Sequence, residues 1–182
     1  MSSRFKGKVV LVTGAGRGIG FEVAKLFASN GAMVVVNDVP QTILPNSNSQ
    51  IPGGNAILAA DKINSAGGNA RAIECDVSDF EQTKQMVERI IEELGGVHVL
   101  INNAGFLTMG LPWEITEKQW DEGINVCLKG TWNCTRHVLE PMKDNGWGCI
   151  VNCSSISALG TAEAPVYGAA KAGIVGLTKC IA

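Results

Sequence analysis

An excess of charge of either sign is nearly absent from this chain of 182 residues: 15 Lys and Arg stand against 17 Asp and Glu, a net charge of −2. A nucleic-acid partner needs a basic excess to neutralise phosphates, so that class of function is excluded. Long apolar runs are missing as well. Stretches such as Val9–Val12 and Met33–Val36 end after a few residues, far below the ~20 of a membrane span. The opening Met-Ser-Ser-Arg-Phe-Lys-Gly-Lys has no apolar segment of a secretory signal. Histidine is scarce, with only His98 and His137, and no C-x-x-C pair occurs among Cys75, Cys127, Cys134, Cys149, Cys153 and Cys180. No metal site is therefore expected, and the thiols read as reduced, small core side chains. Together these absences predict a soluble protein of the cytoplasm, an organelle matrix not excluded, with neither nucleic-acid nor membrane partner. Aromatic residues make up 5%, including a single tyrosine, Tyr167. What the chain does have is 46% hydrophobic residues against 18% charged, enough for a sizeable core.

That apolar material is arranged in alternating periods. Lys8–Thr13, Met33–Asn37, Ala70–Glu74, Val97–Asn102 and Cys149–Ser154 read as buried strands. Between and after them, Ile19–Ser29, Asn55–Ala66, a segment from Ser78 to about Leu94, one from Thr116 to about Lys143, and Pro165–Ala182 carry helical spacing. Ser78-Asp-Phe-Glu81 and Thr116-Glu-Lys-Gln119 have the form of capping boxes. Five strand–helix alternations predict an α/β fold, a doubly wound parallel sheet of Rossmann type with helices on both faces. Its ligand site should lie at the carboxyl ends of the strands. Pro40–Gly54 holds three of the six prolines and predicts a mobile surface loop. With no repeat and no linker, residues 1–182 read as a single domain.

Two motif groups fall on that rim. Thr13-Gly-Ala-Gly-Arg-Gly-Ile-Gly20 joins the first strand to the first helix. Gly14 suits the tight turn, Gly18 lets backbone approach a phosphate, and Gly20 lets helix and strand pack closely. The N–H groups at Ile19 and its neighbours then face a pyrophosphate. Asp38, 18 residues beyond Gly20 at the end of the second strand, can accept the ribose hydroxyls of an adenosine. It would repel a 2′-phosphate, which Arg17 would attract, so NAD is expected ahead of NADP. Asp76 and Val77 end the third strand and Asn103, Ala104 and Gly105 the fourth, where adenine and its ribose should rest. Asn103 reads equally as a brace between strand ends. In the last helix Tyr167 and Lys171 are spaced i, i+4 and share a face. A cation beside a phenol lowers its pKa, which would suit Tyr167 to exchange a proton with an alcohol or carbonyl.

The T-G-x-x-x-G-x-G turn, N-N-A-G, the strand-end serines and Y-x-x-x-K, in this order, resemble the short-chain dehydrogenase/reductase family. The resemblance covers essentially the whole chain. It implies hydride transfer between an alcohol or carbonyl substrate and a nicotinamide cofactor. Tyr167 would be the acid/base, Lys171 would hold the nicotinamide ribose and depress the tyrosine pKa, and a serine would bind the substrate oxygen. Counting back from Tyr167 gives Ser154, whereas strand register from Gly148 favours Ser155. Asn125 matches the family's fourth catalytic position. Homodimers or homotetramers built on the Thr116–Lys143 and Tyr167 helices are implied, with Trp120, Trp132 and Cys134 facing either interface or core. Members of the family carry two further strands after the tyrosine helix, so the chain is expected to be C-terminally truncated relative to them. A non-catalytic nucleotide-binding fragment is the alternative this leaves. Pro40–Gly54 also resembles an insertion in the hydroxyacyl-CoA dehydrogenase units of peroxisomal multifunctional enzymes.

Overall fold

The computed structural model describes residues 3–40 and 54–182. The loop expected at Pro40–Gly54 therefore lies, its two end residues aside, outside the described residues. Five strands, β1 (Val9–Val12), β2 (Met33–Asp38), β3 (Asn69–Glu74), β4 (Val99–Asn102) and β5 (Cys149–Asn152), form one sheet in the order β3-β2-β1-β4-β5. All neighbours are parallel. The strand order reverses between β1 and β4, where an open α/β sheet leaves a crevice at the carboxyl ends.

Alternation along the strands sends side chains to two cores. Val10, Val12, Val34, Val36 and Ile101 meet α1 (Gly18–Ser29) and α2 (Ala56–Ser65) through Ala24, Ala28, Ala59 and Ile63. Val9, Leu11, Val35 and Leu100 meet α3 (Phe80–Leu94) and α5 (Gly130–Asp144) through Val87, Ile90, Cys134 and Val138. Each large aliphatic side chain so buried contributes on the order of 1.5–3 kcal/mol. The small residues on α1 and α2 allow close approach of helix to sheet. Cys134 is wholly buried in the second core, while Trp120 and Trp132 stand out at 43% and 42% exposure. All six cysteines are free. Among the described residues no helix is long and apolar enough to cross a membrane.

Three local features differ from the sequence pattern. The cap of α3 is Asp79, whose carboxylate accepts from Gln82 N at 3.0 Å, not Ser78. Ser78 is drawn back instead by Asp76, which accepts both its N–H and its hydroxyl. The Thr116 capping box forms as read, at the start of α4 (Glu117–Ile124). The helix then does not run on regularly. Asn125–Lys129 is a π-turn before α5 begins, an extra residue of the kind often found beside functional sites. Finally β5 stops at Asn152, and a short 3₁₀ turn (Ile156–Leu159) precedes α6 (Pro165–Ile181). Among the described residues β5 is paired on one side only.

At the opposite end of the sheet, the start of β1 is latched by His98. Its Nδ1 accepts Val9 N–H at 3.1 Å while the His98 backbone N–H donates to Val9 O. Burial, helped by Lys8, holds the imidazole pKa below its ordinary value; burial does the same to His137. A depressed folded pKa means stability that is present above the unfolded value of about 6.5 and lost as pH falls through the folded one. Thermal melts should therefore drop between pH 7 and pH 5, and His98→Gln should flatten part of that slope. An unchanged slope would remove His98 from the account.

Candidate active site

The glycine turn is fixed from three directions. Ala15 N donates to Asn37 O, and Asn103 Nδ2 donates to the carbonyls of both Thr13 and Gly14 at 3.0 Å. Thr13 Oγ1 accepts the N–H groups of Asn103 and Ala104. Asn103 is thus spent as a brace between β4 and the turn. Gly14 meets Ala104 closely, with a Cβ there only 2.8 Å from Ala104 Cα. Gly18 has φ +57°, with open space where a Cβ would stand. Arg17 is an extended, exposed N-cap without a side-chain capping bond, and Ile19 is 72% exposed. The first N–H groups of α1 have no intrahelical acceptor and open onto that space.

Asp38 is buried at the end of β2. Its Oδ2 accepts Gly16 N–H and its Oδ1 accepts Val39 N–H, both at 2.9 Å. Asp76 is half-buried and turned onto Ser78. Val77 packs inward against Gly130, and its carbonyl is taken by Asn133 Nδ2 at 2.8 Å. Val77 can therefore face a ligand only through its remaining backbone.

The second group assembles at the ends of β4 and β5. Asn102 Nδ2 donates to Asn152 Oδ1 at 2.8 Å and to Thr135 Oγ1, and Asn152 Nδ2 donates to Thr178 on α6. This amide chain pins the helix that carries Tyr167 and Lys171. Lys171 is 3% exposed; its Nζ donates to Cys153 O at 2.5 Å and stands 5.4 Å from the centre of the Tyr167 ring. An ammonium has three donors, so two remain. Ser154 Oγ donates to Lys171 O at 2.9 Å and is committed to helix α6. Ser155 Oγ accepts Ser157 N–H at 3.2 Å and lies near enough to the phenol to draw its pKa down, but burial is the stronger influence and the net shift is upward. The upward shift is set by burial of the phenol, and Lys171 stands at its ring while bonded to the Cys153 carbonyl.

Asn125 does not join this cluster. It is exposed at the head of the π-turn. The buried residue of the turn is Cys127 instead. Its Sγ donates to Phe106 O at 3.5 Å, and a Cβ on Gly105 would stand 3.2 Å from Cys127 Sγ and 3.8 Å from Lys171 Nζ. Burial raises the Cys127 thiol pKa, and Lys171 opposes that. Cys127 is the site residue that the sequence reading passed over. Its only signal was the flanking pair Gly123 and Gly130, each packed too closely for a Cβ, against Val166 and Val77 respectively.

These donors fit a nicotinamide dinucleotide. An uncapped helix N-terminus with open space at Gly18 suits a pyrophosphate, Asp38 suits a ribose diol, and the spare Lys171 donors suit a second one. The two groups lie on either side of the β1/β4 reversal, so one extended ligand can span them.

The comparisons agree with this arrangement. The family described as short chain dehydrogenase matches residues 8–182. An uncharacterized oxidoreductase of Thermotoga maritima is 37% identical over 98% of this chain and 66% of its own length. A 3-oxoacyl-(acyl-carrier-protein) reductase of the same organism is 36% identical over 97% and 67%. Peroxisomal multifunctional enzyme type 2 of Drosophila melanogaster is 38% identical over 98% of this chain and 29% of that protein. The crystal structure of a short chain dehydrogenase from Mycobacterium avium superposes with a TM-score of 0.86 at 37% identity, covering 98% of this chain and 64% of that one. The chain thus spans about two thirds of the length of most of these relatives, and on this evidence it belongs to the short-chain dehydrogenase family of oxidoreductases.

Proposed function

We propose that the protein transfers a hydride between a small-molecule alcohol or carbonyl substrate and NAD, with Tyr167 as general acid and base. The observation that carries this reading is the placing of Tyr167, Ser155 and Lys171 on one rim with the glycine turn and Asp38. When bound, the nicotinamide supplies or accepts the hydride. The chain's own residues do the rest. Ser155 Oγ donates to the substrate oxygen and holds it beside the Tyr167 phenol. Tyr167, neutral at pH 7 like any phenol, donates its proton to that oxygen as a carbonyl is reduced, and takes one back in the reverse direction. Lys171 binds ribose hydroxyls with its free donors. Gly14, Gly18, Ile19 and Gly20 receive the pyrophosphate, and Asp38 the adenosine ribose. Asp76, Val77, Ala104 and Gly105 border the adenine and ribose.

Exposed Leu107 and Met109 after β4, and Ile156 and Leu159 after β5, suit a carbonyl carried on an apolar body. The reductase and multifunctional-enzyme relatives support that choice. Assembly into dimers or tetramers through α4 and α5 would cover Trp120 and Trp132, and a cytoplasmic location fits the free thiols.

The test is a titration of NADH and then NADPH, read by energy transfer from the tryptophans. NADH should bind more tightly by about tenfold or more. Equal or tighter NADPH binding would defeat the role given to Asp38 and promote Arg17.

A further inference from the structure

Asp38 is held from a side that the glycine motif does not include. The N-terminal end of α2 comes back onto the turn at Gly16. A Cβ on Gly54 would lie 2.5 Å from Asp38 Oδ2 and 2.6 Å from Gly16 Cα and C. The contact is reciprocal, since a Cβ on Gly16 would lie 2.5 Å from Gly54 C and Asn55 N and 2.8 Å from Asp38 Oδ2. Real Cβ atoms do not approach so closely, so both positions require glycine for space alone. Gly54 is buried. Its place is set by Asn55, which caps α2 by accepting Leu58 N–H at 2.8 Å, and by Ala56, Ala59, Ala60 and Ile63 buried behind it.

We infer that Gly54 is a positioning residue for Asp38: with Gly16 it clamps the carboxylate against the turn and thereby sets the choice between a free ribose diol and a 2′-phosphate. The reasoning is steric and electrostatic together. Oδ2 is tied to Gly16 N–H and Oδ1 to Val39 N–H, so the carboxylate has one orientation and its remaining lone pairs point one way. A diol satisfies those lone pairs. A 2′-phosphate meets a fixed negative charge that cannot swing aside, because backbone fills the space beside it. Loosening the clamp costs a diol its acceptor and relieves a 2′-phosphate of its repulsion. Gly54 therefore acts on the ratio of the two ligands, which a residue serving only the fold would leave unchanged.

This inference rests on the nucleotide site proposed above, and the experiment separates the two. NADH and NADPH are titrated calorimetrically into the wild-type chain, Gly54→Ala and Asn55→Ala, with thermal melts of each. Gly54→Ala should weaken NADH by about tenfold, the effect of one overpacked contact, and weaken NADPH by much less, so that the preference narrows. Asn55→Ala, which adds no atoms but frees the cap, should narrow it in the same direction by a smaller factor, and serves if Gly54→Ala does not fold. Equal losses for both dinucleotides in these variants, or no change in either, would overturn the role of Gly54 while leaving the site standing. A wild-type chain that binds neither dinucleotide would overturn the site and this inference with it.

Discussion

Tyr167→Phe should cost turnover about 10²–10⁴-fold, the range of a positioned general acid or base, while NADH binding stays within about twofold. The split follows from geometry. Phenylalanine fills the same half-buried place on α6 and leaves Lys171 on the Cys153 carbonyl, so only the exchangeable proton is lost. The two strand-end serines give the companion test. Ser155→Ala removes the hydroxyl that faces the phenol and should lower turnover in the same sense. Ser154→Ala removes a bond to Lys171 O and should register in thermal stability instead, by about 1 kcal/mol. The pH profile adds a sign. Burial raises the Tyr167 pKa above the ordinary phenol value, so the proton is present throughout the neutral range. Carbonyl reduction should stay level up to the ordinary phenol range and fall above it, and alcohol oxidation should climb as pH rises. Full activity in Tyr167→Phe would leave the rim as a binding site without this chemistry.

The strands and helices were legible because buried parallel strands need continuous β-branched runs and their helices need 3.6-residue spacing, and both patterns are local. The glycine turn and Asp38 were legible for a related reason: each sits at a strand end that those patterns define. Ser154 and Ser155 were legible as hydroxyls just beyond the fifth strand, but β5 ends at Asn152, so alternation does not choose between them; their bonds, Ser154 to Lys171 O and Ser155 to Ser157 N–H, were not legible. What escaped the sequence is decided by packing between distant segments. The π-turn at Asn125 has no local signature; on either side of it Gly123 and Gly130 pack too closely against Val166 and Val77 to carry a Cβ. Within that turn Asn125 is exposed and Cys127 is buried on the side of Lys171. The upward shift at Tyr167 escaped for the same reason, since spacing shows that a cation is near but not how far the phenol is buried. Gly54 was invisible because nothing in its neighbours announces a contact 38 residues back at Gly16.

Gly20→Ala and Gly18→Ala should separate folding from binding within one turn, and the first is the larger loss. A Cβ at Gly20 would lie 2.4 Å from Gly14 O, 2.5 Å from Asn103 Nδ2 and 2.9 Å from Ala15 Cα. Two of these neighbours are backbone held by the sheet, and Asn103 is bound to the turn it braces, so none can yield cheaply. Overpacking of this severity costs about 3 kcal/mol, or roughly 10 °C of melting temperature in a chain this size. At Gly18 nothing lies within 4 Å of the added methyl, and the cost is only that of φ +57° for an L residue, about 1 kcal/mol. That methyl, however, occupies the space into which the α1 N–H groups open. Gly18→Ala should therefore melt within a few degrees of wild type yet lose about tenfold or more in affinity for NADH and NADPH alike, because the pyrophosphate is common to both. If Gly18→Ala bound both dinucleotides normally, the pyrophosphate would have to sit elsewhere on the rim, and the open helix end would lose its assigned part.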